Sequence, residues 1–96
     1  MPDLTGKQRR HLRALGHHLN AVLQVGHEGV SDAVVRHANE ALDAHELIKV
    51  RVSDGHDRHE AGELLAEKCG AHLAQVLGRT LLLYRRRKEK PEIELP

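Results

Sequence analysis

The sequence predicts a single α/β domain whose elements follow in the order α-β-α-β-α-β-β and form a mixed four-stranded sheet packed with helices. Its 96 residues, 40% of them hydrophobic, suit one compact domain with one modest core. Apolar residues recur with helical spacing in three segments and with a strand-like pattern in four others. A helical crossover predicts that the first two strands are parallel, whereas a short connection predicts that the last two are antiparallel, so the sheet is mixed.

The first helix is predicted from its N-terminal signals. Thr5-Gly6-Lys7-Gln8 has the form of a capping box, and Leu4 precedes it as a hydrophobic staple. Leu12, Leu15 and Leu19 then recur at helical spacing, and Gly16 weakens the helix near its end. The apolar stretch Ala21–Val25 reads as the first strand.

The second helix is expected from about Ser31, a favourable N-cap, to His45. Its apolar stripe consists of Val30, Val34, Val35, Ala38, Ala41 and Leu42. The strand Leu47–Val52 follows, in which Ile48, Val50 and Val52 alternate with Lys49 and Arg51. One side of this strand is therefore predicted to be core and the other basic.

The third helix is predicted to begin near the N-cap Asp57 and to end at Gly70. Two strands follow at about His72–Leu77 and Thr80–Tyr84, and Gly78-Arg79 joins them as a type II′ hairpin would. The segment after them, about residues 85–96, is a basic run followed by an extended tail. No second domain is indicated, so residues 1–96 form one unit.

Composition limits the function classes. With no Phe or Trp and one Tyr, aliphatic side chains must build the core. No apolar run approaches the roughly 20 residues that span a bilayer, and the N-terminus does not resemble a signal peptide. The single Cys69 cannot form an internal disulfide, which fits a reducing cytoplasm. We therefore expect a cytoplasmic monomer that neither enters membranes nor carries a cofactor.

The net charge of +1 conceals a segregation of charge along the chain. The first 20 residues carry four cations against Asp3, and residues 79–90 carry six against Glu89, whereas nearly all other acids lie between Glu28 and Glu67. If the two ends meet in space, they form one basic face suited to a polyanion. The alternative is that both are ordinary solvated surfaces.

The loop Gly26-His27-Glu28-Gly29 lies between the first strand and the second helix. A glycine-bracketed turn that leads into a helix N-terminus brings backbone amides and a positive helix dipole to one exposed place, which suits a phosphate. Two glycines at this spacing are weak evidence for a binding site by themselves, since they often occur by chance. Their position between strand and helix gives the motif its weight.

These features together resemble the CRM-domain family of small, YhbY-like bacterial RNA-binding proteins. The matching stretches are Leu4–Arg10 (LTGKQRR) with Leu12-Arg13, Val25–Gly29 (VGHEG), His45–Arg51 (HELIKVR) and Gln75–Arg85 (QVLGRTLLLYR). They lie in family order from about residue 4 to residue 88 and are specific in combination.

The resemblance implies a fold similar to the C-terminal domain of translation initiation factor three. It also implies RNA binding, and association with precursors of the large ribosomal subunit during its assembly, from which we expect ribosomal RNA to be the ligand. The family's G-x-x-G loop maps onto Gly26 and Gly29, and its basic first helix onto Lys7, Arg9, Arg10 and Arg13. Family loops often carry a basic residue between the glycines, whereas this chain has His27 and Glu28, and Glu28 would repel a phosphate.

The predicted RNA-binding residues share a cationic side chain or a place in the glycine loop. They are Lys7, Arg9, Arg10, Arg13, Gly26, His27, Glu28, Gly29, Lys49, Arg51, Arg79, Arg85, Arg86, Arg87 and Lys88. Because only Tyr84 could serve as an aromatic stacking platform, and its position favours the core or rim, we expect recognition of structured RNA by backbone and shape.

Other functions fit the sequence less well. A KH domain also contains G-x-x-G, but there the loop joins two helices, whereas Ala21–Val25 predicts a strand. The nine histidines, including His56-x-x-His59, lack the paired-ligand spacing of a zinc site. Cys69 lies on the apolar side of a helix, where a thiol is usually core, so no catalytic residue is predicted. The main alternative is a protein-interaction module that reaches ribosomal particles through the acidic centre.

Overall fold

The computed structural model describes residues 3–96 and contains the seven predicted elements in the predicted order. They are α1 (Gly6–Gly16), β1 (Ala21–Val25), α2 (Asp32–His45), β2 (Leu47–Val52), α3 (Arg58–Cys69), β3 (His72–Leu77) and β4 (Thr80–Tyr84). The predicted end signals are confirmed: Thr5 and Gln8 form the capping box, Ser31 and Asp57 cap α2 and α3, and Gly70 ends α3 in the left-handed conformation.

The four strands form one mixed sheet in the order β1-β2-β4-β3. β1 pairs with β2 in parallel and β3 pairs with β4 antiparallel, as the connections predicted. β4 also pairs antiparallel with β2, a neighbour that the connections left open. Gly78 turns the β3–β4 hairpin with a φ of +57°, a conformation that glycine adopts without strain. β1 and β3 are therefore the two edges of the sheet.

Helices cover both faces of the sheet, so the core consists of two apolar layers where the sequence predicted one modest core. α2 and α3 cover one face, against which Ile48, Val50, Val52, Leu81 and Leu83 are buried. The other face packs against α1, where Leu12, Leu47, Ala74, Leu82 and Tyr84 form a smaller cluster. We call this second side of the sheet the α1 face.

α1 covers only part of its face. Leu12 is fully buried, whereas Leu15 and Leu19 remain 42% and 38% exposed. Leu15 directly precedes the last helical residue, Gly16, and Leu19 lies beyond the helix. That glycine has a packing reason: a Cβ there would lie 2.7 Å from a methyl carbon of Leu82. The three leucines thus do not act as one buried stripe, although their spacing is helical.

Glu46, which joins α2 to β2, is buried and fixes the C-terminal tail. Its carboxylate accepts hydrogen bonds from the backbone amides of Arg87, Glu92 and Ile93. Ile93 and Leu95 then pack against the smaller cluster, and the Gln8 amide donates to the Pro96 carbonyl over 3.2 Å. The tail forms neither helix nor strand but is docked along α1. Within residues 3–96, none of the helices has the length and apolarity required to cross a membrane.

Candidate nucleic-acid interface

The outer side of α1 presents three exposed cations. Lys7, Arg10 and Arg13 point away from the sheet, because Leu12 and Gly16 occupy the inner side of the helix. Arg9 differs from them: it is half-buried, and its Nη1 atom donates a hydrogen bond of 2.6 Å to the Leu73 carbonyl on β3. Three of the four predicted cations of this helix are thus free to face solvent, and one ties α1 to the sheet.

Two further cations lie on the part of the α1 face that α1 leaves open. Lys49 and Arg51 alternate with the buried Ile48, Val50 and Val52, so their side chains emerge on the opposite side of β2, as predicted. They line a shallow hollow of about 230 Å³ together with polar and apolar neighbours. These neighbours are Leu19, Asn20, Ala21, Gln75, Leu77, Thr80, Leu81 and Leu82. We call this hollow the sheet cleft.

More backbone amides of the glycine loop donate hydrogen bonds within the protein than the sequence predicted. The Gly29 amide donates to the Gly26 carbonyl over 3.0 Å, which closes a turn, and the Ser31 amide donates to the Gly29 carbonyl. The Ser31 hydroxyl in turn accepts from the Val34 amide at the start of α2. Amides at this strand–helix junction therefore already have partners, which leaves fewer of them for an anion.

A neighbouring loop holds the glycine loop in place. The Nε2 atom of His56, between β2 and α3, lies 3.1 Å from the His27 carbonyl oxygen. Gly29 has a φ of +75°, and a Cβ at this position would lie 3.2 Å from the His56 ring. His56 was not among the predicted site residues, because the contact joins residues 29 positions apart and leaves no local signal.

Arg79 organises the same region from the β3–β4 hairpin. Its guanidinium donates to the carbonyl oxygens of Val52, Ser53 and His56, with a distance of 2.7 Å to His56. The side chain is about one third exposed. Arg79 was predicted to bind RNA, but the structure places its donors inside the protein, where they hold the loop that carries His56.

The basic run after β4 is divided between packed and exposed arginines. Arg85 reaches under α2 and α3, where it donates to the Asn39 side chain, the Cys69 carbonyl and the Asp43 carboxylate. Arg87 donates to the Ala44 carbonyl and pairs with Glu92 at 3.2 Å. By contrast, Arg86 and Lys88 are exposed. The two packed side chains are about one fifth exposed and secure the end of the chain.

The two basic ends meet only through part of this run. Arg86 lines a hollow beside Gln8 of α1 and the tail residues Ile93 and Glu94. Arg85 instead lies on the opposite face of the sheet, against α2 and α3. The basic face of the structure therefore consists of α1, the sheet cleft and Arg86, and does not include every cation of the run.

Comparison with known proteins identifies the family. The model of the CRS1/YhbY (CRM) domain matches residues 4–85, which is most of the chain. This chain belongs to the CRM-domain family.

Two relatives and one solved structure match this CRM domain over nearly their whole length. A Bacillus subtilis protein named "Probable RNA-binding protein YqeI" is 44% identical over 95 residues, which cover 97% of this chain and 99% of that protein. A Haemophilus influenzae protein named "RNA-binding protein" is 39% identical over 100 residues, covering 100% and 98%. The solution structure of the hypothetical protein SAV1595 from Staphylococcus aureus has a TM-score of 0.84 and 40% identity, and the match covers 97% and 99% of the two chains.

The single cysteine and the single tyrosine are both buried in this CRM domain. Burial raises the pKa of the Cys69 thiol, which disfavours the reactive thiolate. Tyr84 is 4% exposed and stacks on the His72 ring with centroids 6.3 Å apart, so it lies in the core as the sequence indicated. Burial, and then the nearby Arg9 charge, lower the pKa of His72. Among residues 3–96 no three His, Cys, Asp or Glu side chains converge as metal ligands would.

Proposed function

We propose that this CRM domain binds structured ribosomal RNA through the cations of the α1 face and thereby assists assembly of the large ribosomal subunit. It acts as a cytoplasmic monomer without a cofactor and catalyses no reaction. The observation that carries the proposal is the arrangement of Lys7, Arg10, Arg13, Lys49 and Arg51 on one side of the sheet. Cations that share one face can neutralise several phosphates of one RNA helix together.

The remaining predicted site residues contribute in two ways. Arg86 is exposed and extends the basic face beside the tail, whereas the exposed Lys88 adds a cation near Asn39 and Asp43 of α2, outside that face. Arg9, Arg79, Arg85 and Arg87 use their guanidinium groups on carbonyls and acids of the protein, so we assign them to positioning the surface. We assign the loop Gly26–Gly29, which packs beside His56 and the start of α3, to backbone contacts with the RNA, against which Glu28 places one repulsive carboxylate.

The names of the relatives support RNA as the ligand class, since two of them are called RNA-binding proteins and match nearly the whole chain. The family resemblance supports the proposal of a ribosomal target. The lack of aromatic stacking platforms favours paired and structured RNA. Recognition would then depend on backbone phosphates and helix shape rather than on many base contacts.

The test uses sedimentation through density gradients. Wild-type protein added to cell extract should sediment with large-subunit precursors more than with mature ribosomes. A variant in which Arg10 and Arg13 are changed to Gln should fold normally, since both side chains are exposed, but should remain near the top of the gradient. A matched variant with Arg36 and Lys68 changed to Gln removes two exposed cations from α2 and α3 and should sediment like wild type.

A protein-interaction module is the second candidate, because α2 and α3 expose an acidic surface. Its members are Asp32, Glu40, Asp43, Glu60, Glu63 and Glu67. Binding to protein-free ribosomal RNA separates the two functions. If the protein does not bind this RNA, and the Arg10/Arg13 variant still sediments with precursors, then ribosomal proteins recruit the CRM domain and our proposal fails.

A further inference from the structure

Three exposed hydrophobic side chains of the described residues line one groove. Leu15, Leu19 and Val22 are 42%, 38% and 52% exposed, and they lie where α1 ends and β1 begins. The groove has a volume of about 400 Å³ and is also lined by Asn20, His45, Leu47, Ile48 and Ile93. Clustered aliphatic surface in a concave site is unfavourable in water and is typical of a binding site.

The apolar groove continues into the sheet cleft. Leu19 and Asn20 line both hollows, so the apolar walls of the groove meet the surface that carries Lys49 and Arg51. No Asp or Glu is among the residues that line either hollow within residues 3–96. A ligand that complements both hollows has an apolar part and, next to it, a negative charge.

We infer that the apolar groove binds one unpaired nucleobase of the RNA, while a phosphate beside that nucleotide lies on Lys49 and Arg51. This inference rests on the proposed function and specifies which part of the RNA this corner of the sheet reads. The leucine and valine side chains pack against the faces of the base by dispersion, which requires no aromatic ring. Asn20 and His45 lie at the rim, where an amide and an imidazole can hydrogen-bond to the edges of the base.

A nucleotide fits this corner better than an apolar peptide does. A peptide could fill the groove, but it would leave the adjoining cations without an anionic partner, whereas every nucleotide carries a phosphate next to its base. Bases that are accessible to proteins in structured RNA come from bulges and loops, since the grooves of the paired helix hide most base edges. The expected ligand is therefore a paired RNA helix interrupted by an unpaired residue.

The experiment compares two hairpin RNAs that differ by one nucleotide. One is fully paired, and the other contains a single unpaired adenosine. Wild-type protein should bind the second RNA roughly tenfold more tightly, which corresponds to removing about 55 Å² of apolar surface from water. With 2-aminopurine in place of the unpaired adenosine, binding should also change the fluorescence of this base.

Two variants remove the apolar groove and one serves as a control. Leu15→Gln places a polar group in the groove, and Val22→Thr does so with almost no change of shape, so at least one of them should fold. Both should bind the two RNAs equally and should abolish the fluorescence change. Leu64 is also 42% exposed and helical but lies on α3, so Leu64→Gln should retain the preference.

The outcomes separate this inference from the proposed function. If wild type binds both hairpins equally, or if the folded groove variants keep the preference, the base is not bound here and the inference fails. Salt-dependent binding of the paired hairpin would still support the proposed function. If neither RNA binds, the proposed function itself fails and the groove is left to a protein partner.

Discussion

The imidazole of His56 lies against the backbone of His27, with its Nε2 atom 3.1 Å from the carbonyl oxygen. This contact joins the loop between β2 and α3 to the glycine loop between β1 and α2. Arg79 holds the first of these loops through three carbonyls, so the conformation of the glycine loop depends on a side chain from the distant hairpin. Arg79, His56 and Gly29 form one chain of contacts, which yields the first predictions.

Arg79→Gln should destabilise the fold because the carbonyls of Val52, Ser53 and His56 would lose a charged donor. Hydrogen bonds to charged groups each contribute about 1.5–3 kcal/mol, and partial exposure of this site lets water replace part of that, so we expect a loss of about 2 kcal/mol. Urea denaturation measures the change. Arg51→Gln, at an exposed position, should alter stability by less than about 0.5 kcal/mol. An unchanged free energy of unfolding in Arg79→Gln would leave Arg79 available to RNA.

Gly29→Ala should cost more stability than Gly26→Ala. Gly29 has a φ of +75°, which penalises any side chain, and the added Cβ would lie 3.2 Å from the His56 ring. At Gly26 nothing lies within 4 Å of the added Cβ. We expect a loss of about 1–2 kcal/mol for Gly29→Ala and little change for Gly26→Ala, measured by thermal or urea unfolding. Equal effects would mean that the turn tolerates both substitutions by rearranging.

Glu28→Lys tests whether the glycine loop touches RNA. Glu28 is exposed in the loop, so the substitution should not disturb the fold. If a phosphate lies near the loop, affinity for ribosomal RNA should rise severalfold, because repulsion is replaced by attraction. His27→Ala should have a mild effect at pH 7.5, since only the backbone of His27 is used within the structure. Unchanged affinity in Glu28→Lys would make the loop a structural turn only.

Glu46 should couple docking of the tail to pH. Burial alone would raise the pKa of this carboxyl, but hydrogen bonds from the amides of Arg87, Glu92 and Ile93, together with the Arg87 charge, hold the pKa below its ordinary value of 4.5. A lowered pKa in the folded state means that the stabilisation is complete above pH 4.5 and is lost as the pH falls through the lowered value. Wild type should therefore lose stability under acid conditions and release its tail.

The measurement compares the pH dependence of unfolding in wild type and Glu46→Gln. The variant should be less stable at neutral pH, and the difference between the two proteins should shrink on acidification. Amide NMR signals of Glu92 and Ile93 should shift in the same pH range. Asp43→Asn removes an exposed carboxylate that pairs with Arg85, so it should leave this pH range unchanged. A constant difference between wild type and Glu46→Gln would contradict the role of the charge.

Local signals made the elements predictable from the sequence, and tertiary contacts limited the prediction of the site. The caps at Thr5, Ser31 and Asp57 and the left-handed Gly70 act within a few residues, so the order and bounds of the helices followed from them. Arg85, in contrast, bonds to Asn39 and Asp43, which lie more than 40 positions away. A run of arginines therefore gave no indication of which members were already engaged.

The burial of polar side chains and the exposure of apolar ones also could not be predicted from local sequence signals. In the sequence, Glu46 resembles any acid between two elements. In the structure it is 1% exposed, has a φ of +61° and accepts hydrogen bonds from backbone amides of the tail. Leu15 and Leu19 continue the helical spacing of Leu12, but Leu15 lies in the last turn of α1, Leu19 lies beyond the helix, and both are at the surface. The periodicity identified the apolar residues correctly, but which of them are buried depends on how α1 packs against the sheet.

The dependence of RNA affinity on salt concentration is the strongest test of whether cations of the α1 face bind phosphates. If about four to six phosphates are engaged, log affinity against log salt should fall with a slope of roughly −3 to −5, because each neutralised phosphate releases counterions. Changing Arg10 and Arg13 to Ala should make this slope shallower by about 2, since each lost phosphate contact reduces it by about 1. Both side chains are exposed, so circular dichroism and urea unfolding should remain as in wild type.

Changing Arg36 and Lys68 to Ala removes the same charge from the opposite side of the sheet and should leave the slope unchanged. Equal flattening by both pairs would mean that net charge, and not the α1 face, governs binding, and a wild-type slope near zero would remove phosphate neutralisation as its main cause.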